Sequence, residues 1–228
     1  MPHSLTRAVV ATALLFAVVG SGKQLAAQAT QAGIAQARID SLRRPYTAAD
    51  IEFMSGMIMH HAQAVKMAGW AASHGASKSL QTYCGRVAMA QSAEIGLMKQ
   101  WLAERNQPVP EIDTASADMA MHMNMPGMQH DAPMKMMPGM LSPAQMHQLD
   151  AARGVEFDRM FLIFMIQHHR GALTMVDTLF KTPGAAQDEF VFKFANDVHA
   201  DQSTEIDRMQ QMLDALPPAP GDLDFGRP

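Results

Sequence analysis

The sequence predicts an all-α protein, a four-helix bundle made from two duplicated helical hairpins joined by a long Met/His-rich crossover. Three observations lead there. Asp50, Phe53, Met57, His60-His61, Ala64 and Met67 recur at identical spacing as Asp158, Phe161, Met165, His168-His169, Ala172 and Met175. A second pattern, Gln91-x-x-Glu94-Ile95-x-x-Met98, recurs as Gln202-x-x-Glu205-Ile206-x-x-Met209. Around both, apolar residues return every three or four positions, the period of a helix with one buried face. A hairpin cannot hide its apolar stripe alone, so two of them are expected to pack together.

The elements follow in chain order. Arg7 precedes an apolar run from Ala8 to Val19, and Ala27-Gln28-Ala29 fits a small-x-small cleavage site. Residues 1–29 therefore read as a signal peptide, which implies a periplasmic or secreted protein. No later stretch of about 20 apolar residues occurs, so no integral membrane domain is expected after cleavage. Residues 30–45 form a polar N-terminal arm. The first hairpin spans 46–106: Thr47 caps a helix over about 48–73, with Asp50 as the capping-box acid and His74-Gly75 as the stop. Its second helix, about 77–105, carries Leu80, Cys84, Val87, Gln91, Ile95, Met98 and Leu102 at helical spacing. Residues 107–141 hold Pro126, Pro133 and Pro138 with glycines and no clean stripe, and read as a linker. The second hairpin spans 142–216. Ser142-Pro143 opens its first helix, which runs to about Lys181 with Gly154 as a candidate interruption. Thr182-Pro183-Gly184 is a turn, the last helix covers about 186–215, and 217–228 is a proline-rich flexible tail.

Removing residues 1–29 takes away Arg7 and Lys23 and no acidic residue, leaving 16 basic against 22 acidic residues, a net −6. That balance argues against a nucleic-acid partner. The single cysteine, Cys84, allows no internal disulfide, so stability must come from a core or from assembly, a homodimer included. Cys84 itself falls on an apolar stripe, where packing explains it better than ligation.

On the first helix, Phe53, Met57, His60, Ala64 and Met67 descend one face; Phe161, Met165, His168, Ala172 and Met175 do so on the third. His61 and His169 sit one step round, so one histidine of each pair can point inward while the other lies at the edge. A Met and a His three or four residues apart can converge on one ion, and thioether with imidazole suits copper, Cu(I) above all. Packing alone explains the apolar positions, because methionine is adaptable filler. It explains four imidazoles inside apolar stripes less easily, since burying them requires partners. Glu94 and Glu205 are candidate acceptors that orient a ligating histidine, or plain interhelical salt-bridge residues. Asp50 and Asp158 recur at helix starts, where a negative charge is favourable. His199 is a further candidate ligand with no counterpart in the first hairpin.

Between Met119 and His147 the chain holds ten methionines and three histidines. Such density beside prolines has no core to fill. Flexible thioethers can enclose Cu(I) or Ag(I) without a preformed cage, so Met119, Met121, His122, Met123, Met125, Met128, His130, Met134, Met136, Met137 and Met140 are candidate ligands. The competing uses are a methionine-rich docking strip and an oxidant sink.

These repeats together resemble the DUF305 family of bacterial exported, ferritin-like helical proteins, which includes periplasmic copper-binding members. The resemblance covers roughly residues 46–104 and 154–214. It implies a ferritin-like four-helix bundle and, in copper-binding relatives, metal held by Met and His; carried over, the candidates are Met57, His60, His61, Met67, Met165, His168, His169 and Met175. Gln167 before the second pair departs from the usual pattern, and Phe161 to Phe164 makes that half more apolar, so the first pair is expected to be the more accessible. The function expected is a periplasmic copper-binding protein for copper homeostasis, holding Cu(I) or Ag(I) for buffering, sequestration or transfer to a copper-export or copper-delivery partner. The alternatives are a non-metal interaction module, the oxidant sink and a copper-dependent oxidase. A di-iron enzyme would need Glu-x-x-His on its helices, and none occurs in the sequence. No nucleotide loop, hydrolase elbow or Cys-x-x-Cys motif is present either, so no enzymatic activity is assigned.

Overall fold

A computed structural model describes residues 30, 31, 33, 34, 46–112 and 136–218. The chain divides into two compact units, Met1–Arg44 and Pro45–Pro228. In the first, the four described residues are helical. In the second, the described residues form five helices: α1 (Ala48–Gly69), α2 (Lys78–Glu104), α3 (Pro143–Ala151), α4 (Gly154–Lys181) and α5 (Glu189–Asp214). None of the described helices is long and apolar enough to cross a membrane.

Local chemistry explains each start. The Thr47 hydroxyl accepts from the Asp50 amide while the Asp50 carboxylate accepts from the Thr47 amide at 2.7 Å, a closed capping box on α1. Ser77 caps α2, Ser142 and Gln145 form a second capping box on α3, and Asp188 accepts from two amides at the start of α5. Each cap stabilises its helix by roughly 0.5–2 kcal/mol. The first helix stops earlier than expected, at Gly69. Turns then carry the chain to Gly75, which sits at φ +71° where a side chain would be strained.

One expected helix is two. Between 142 and 181 the chain breaks at Ala152 and Arg153, both extended, and Gly154 restarts it at φ +60°. The break is held from a distance. The Gly154 amide donates to the His74 carbonyl at 2.9 Å, and His74 Nε2 contacts the Asp150 carboxylate at 2.9 Å. His74 is itself buried, stacked beside Trp70 and against Phe157.

α1 packs on α2 and α4 on α5, and the two hairpins meet through α1 and α4, with α3 against α4. Two apolar clusters form. One contains Ala64, Met67, Leu80, Val87, Leu149, Phe157 and Met165; the other Met57, Ile58, Trp101, Leu102, Ala172, Val176 and Phe194. Along α1 the order is Met57 then Ala64, and along α4 it is Met165 then Ala172, so the two helices run in opposite directions. The histidine pairs lie between the clusters on both.

The repeated aspartates lock the hairpins reciprocally. Asp50 accepts from the Ala186 amide at 2.7 Å, in the turn before α5. Asp158 accepts from the Ser77 amide at 3.1 Å, at the cap of α2. The helix-terminus role expected of Asp158 is thus fulfilled toward the other hairpin, not toward its own helix. A further buried pair, Arg105 with Asp188 at 2.7 Å, reinforces the end where Asp50 meets Ala186, with the guanidinium 4.3 Å above the Trp101 ring.

Candidate metal centre

All four histidines of the two pairs are fully buried. The expectation that the first pair would be the more accessible is therefore corrected. α1 is enclosed on every side from Phe53 to Ala64, because α2, α4 and the end of the crossover all cover it.

His60 and His168 point into the seam between α1 and α4, where their rings lie against each other with centroids 3.7 Å apart and planes tilted by 39°. His61 and His169 turn the other way, to the second helix of their own hairpin. His61 Nε2 lies 2.7 Å from the Glu94 carboxylate, and His169 Nε2 lies 2.6 Å from that of Glu205. Each hairpin therefore carries the same interhelical histidine–carboxylate pair. His60 Nε2 donates to the Pro138 carbonyl at 3.0 Å; a carbonyl only accepts, so the proton of a neutral His60 sits on Nε2 and Nδ1 presents a lone pair.

Nδ1 of His60, His61 and His169 and both ring nitrogens of His168 are buried with no hydrogen-bond partner. Leaving such a group unsatisfied costs about 1–3 kcal/mol. A carboxylate or carbonyl on one ring nitrogen and a free lone pair on the other is the arrangement in which metal-bound imidazoles are held. At His60 and His168 protons compete weakly. Burial, then the neighbouring His61, pushes the His60 pKa down to about 3, and burial followed by His60 holds that of His168 well below the ordinary imidazole range.

The donor set is nevertheless not a ready cage. Among the described residues, no group of three or more His, Cys, Asp or Glu side chains is placed to hold a metal ion. His60 and His168 meet in the seam, while His61 turns to Glu94 and His169 to Glu205, each in its own hairpin. Any compact site here needs thioethers, and the structure divides them. Met67 and Met165 lie in one apolar cluster and Met57 and Met175 in the other, so the shared helical face does not gather all four around the histidines. Cys84 is buried in the first cluster and its thiol is pushed up to about 12, by burial first and Asp158 second, which removes it as a ready thiolate. His199 is exposed on α5.

Met119, Met121, His122, Met123, Met125, Met128, His130 and Met134 lie outside the described residues. Met136, Met137 and Met140 lie within them, on a strap, residues 136–141, that lies against α1 and α4. Met136 is exposed, Met137 half-buried and Met140 buried. The strap is fixed at several points. Gln63 binds the Leu141 backbone on both sides, accepting from its amide at 2.8 Å and donating to its carbonyl at 3.1 Å. Gln167 donates to the Gly139 carbonyl at 3.3 Å. Gly139, at φ +75°, lies so close to Gly171 that a Cβ on either would meet backbone atoms of the other side, at 2.6 Å or less. At Gly56 a Cβ would meet Met137 Sδ at 3.2 Å and Met175 Cε at 3.4 Å.

Sequence reasoning missed the strap, and with it Pro138, Gln63, Gln167, Gly56, Gly139 and Gly171. The available signal was Gly139 beside a proline and Gly171 inside an otherwise good helix, where a glycine costs about 1 kcal/mol and marks close backbone approach.

A family model described as "Domain of unknown function (DUF305)" matches residues 50–213. No curated protein matches the chain. Among solved structures, a DUF305 fragment from Deinococcus radiodurans is 25% identical, with a TM-score of 0.58 over 75% of this chain and 99% of its own. A putative secreted DUF305 protein from Streptomyces coelicolor, 24% identical at a TM-score of 0.58 over 73% of this chain and 92% of its own, shares the fold. CopM in its Cu(II)-bound form is 28% identical, with a TM-score of 0.53 over 72% of this chain and 95% of its own; its Cu(I)-bound form is 25% identical at 0.52, over 75% and 97%.

Proposed function

The chain belongs to the DUF305 family, and from that premise we propose that it is an exported, periplasmic copper-binding protein that takes up Cu(I), with Ag(I) as a surrogate, for buffering, sequestration or transfer. The observation that carries this reading is the set of four buried imidazoles with unpartnered nitrogens, three of them oriented through the opposite ring nitrogen by Pro138, Glu94 and Glu205. A solely structural role would leave these nitrogens uncompensated inside the protein. The likeness to CopM, seen in Cu(I)- and Cu(II)-bound forms, supports copper as the cargo.

In this reading the four long helices act as a ferritin-like four-helix bundle that holds a small number of ordered sites. The Met/His-rich crossover captures and exchanges ions, and a copper-export or copper-delivery protein is the partner class. Soft thioethers select Cu(I) over hard cations, while imidazole accepts either oxidation state of copper.

The test is an anaerobic Cu(I) titration against a chromophoric competitor. It compares the chain from residue 30 onward, a 119–134 deletion that leaves the strap in place, and His168→Gln, with circular dichroism as the folding control. Stepwise loss of competition in the deletion and in His168→Gln is expected. Undiminished competition by a folded His168→Gln variant would make the buried histidines structural. No competition by the intact chain would end the copper reading.

A further inference from the structure

We propose that Met137 of the strap and Met175 of α4 together form a two-thioether site for a soft monovalent cation, floored by Gly56, through which ions pass from the crossover toward His60. The inference deepens the copper reading and rests on it.

The sulfur of Met137 and the terminal methyl of Met175 both lie over Gly56. Met137 Sδ and Met175 Cε lie 3.2 and 3.4 Å from where a Gly56 Cβ would stand. Any larger residue at position 56 would occupy the space in which they meet. Neither methionine is fully buried: Met137 is half-buried and Met175 is partly buried at the margin of the second cluster. Both therefore remain within reach of an arriving ion, unlike the enclosed Met57, Met67 and Met165. Three rotatable bonds let each sulfur turn toward a shared ion without moving the backbone. Two neutral thioethers make a soft donor set that suits Cu(I) or Ag(I) and discriminates against Mg²⁺ and Ca²⁺.

The position of the site gives it a direction. Met137 is covalently next to Pro138, whose carbonyl holds His60. Gly56 and His60 are four residues apart on the same face of α1, a rise of about 6 Å. An ion at the methionines thus lies one helical turn from the buried imidazoles. The strap therefore brings a thioether and the backbone contact of His60 side by side along α1. The strap has the rigidity this requires, since Gln63, Gln167 and the Gly139–Gly171 contact hold it against both helices.

The experiment is methyl NMR on the chain from residue 30 onward carrying methyl-13C methionine, titrated with Ag(I) in sub-stoichiometric steps. Histidine side-chain 15N shifts are followed in parallel. Met137→Leu and Met175→Leu serve for assignment and as near-isosteric apolar replacements. The ε-methyl signals of Met137 and Met175 are expected to move together within the first equivalent. Met137→Leu should abolish the Met175 response, and the reverse, while signals from residues 119–134 still respond. An unchanged Met175 response in Met137→Leu overturns the shared site. So does silence of both methionines while the histidine nitrogens shift, an outcome that leaves the copper reading intact. No Ag(I)-dependent shift in either residue type refutes both.

Discussion

Acidification of the metal-free protein should destabilise it steeply between pH 6.5 and 5, and the buried histidines set the slope. His60 and His168 are neutral in the fold because burial holds their pKa values down, to about 3 for His60. In the unfolded chain each titrates near 6.5. Above that value both states are unprotonated and these residues contribute no pH dependence. Below it the unfolded chain binds two protons that the folded one refuses, so stability is lost as pH falls toward the folded value. The slope is about 1.4 kcal/mol per pH unit for each histidine. At pH 5 the loss relative to pH 8 is about 2 kcal/mol each, roughly 4 kcal/mol together, a large share of the 5–15 kcal/mol of a typical domain. Urea denaturation at a series of pH values reads this directly. His168→Gln supplies the internal control, since it removes one of the two protons and should halve the excess slope. A native stability that is flat from pH 8 to 5 would refute the assignment of both imidazoles as buried and neutral, and a slope unchanged in His168→Gln would refute that of His168.

Three further outcomes are expected. Arg105→Ala leaves the Asp188 carboxylate buried with only the Trp101 and α5 donors, and should cost about 3 kcal/mol in chemical denaturation. Gly139→Ala forces a side chain into a left-handed backbone position that also faces Gly171 at 2.6 Å; a loss of at least about 1 kcal/mol and faster amide exchange at Leu141 would mark release of the strap. Glu94→Gln and Glu205→Gln keep shape but replace the carboxylates that orient His61 and His169. Copper affinity by competition should fall about 10–100-fold with little change in denaturation midpoint.

What could be read from the sequence, and what could not, follows from the range of the interactions involved. Thr47 with Asp50, and Ser142 with Pro143 and Gln145, are local signals, and the helices start where they say. The inward direction of His60 and His168 follows from helical periodicity alone. The break before Gly154 does not, because the groups that enforce it, His74 and Asp150, are drawn together from 76 residues apart in the sequence. Nor does the strap. A stretch with prolines, glycines and no stripe reads as linker until the glycine opposite it, Gly171, is known to be its contact. The methionines show the same limit. Helical spacing puts Met57 and Met67 on one face, but a face ten residues long passes through both apolar clusters, and only the packing shows that the two sulfurs end in different ones.

The duplication also explains how a two-fold arrangement accepts a single strap. Aligning the two copies residue by residue, the positions that build the hairpins are identical: Asp50 with Asp158, Phe53 with Phe161, Met57 with Met165, and both histidine pairs. His60, which meets the Pro138 carbonyl, is matched by His168, but three other positions along the strap differ. Gly56 answers to Phe164, Met59 to Gln167 and Gln63 to Gly171. A strap seated the other way round would meet Phe164 where Gly56 now leaves room for Met137, and Gln63 where Gly171 now admits the Pro138 carbonyl. The three differences therefore favour the observed seating of the strap, which puts Pro138 on His60 and not on His168. Two histidines that are equivalent in the repeat are made chemically unequal by the segment between them, one tethered to the strap at Nε2 and one not. Exchanging Gly56 and Gln63 for the residues of the second copy should, on this argument, free the strap and make the two imidazoles alike, which the Nε2 proton exchange rates of His60 and His168 would report.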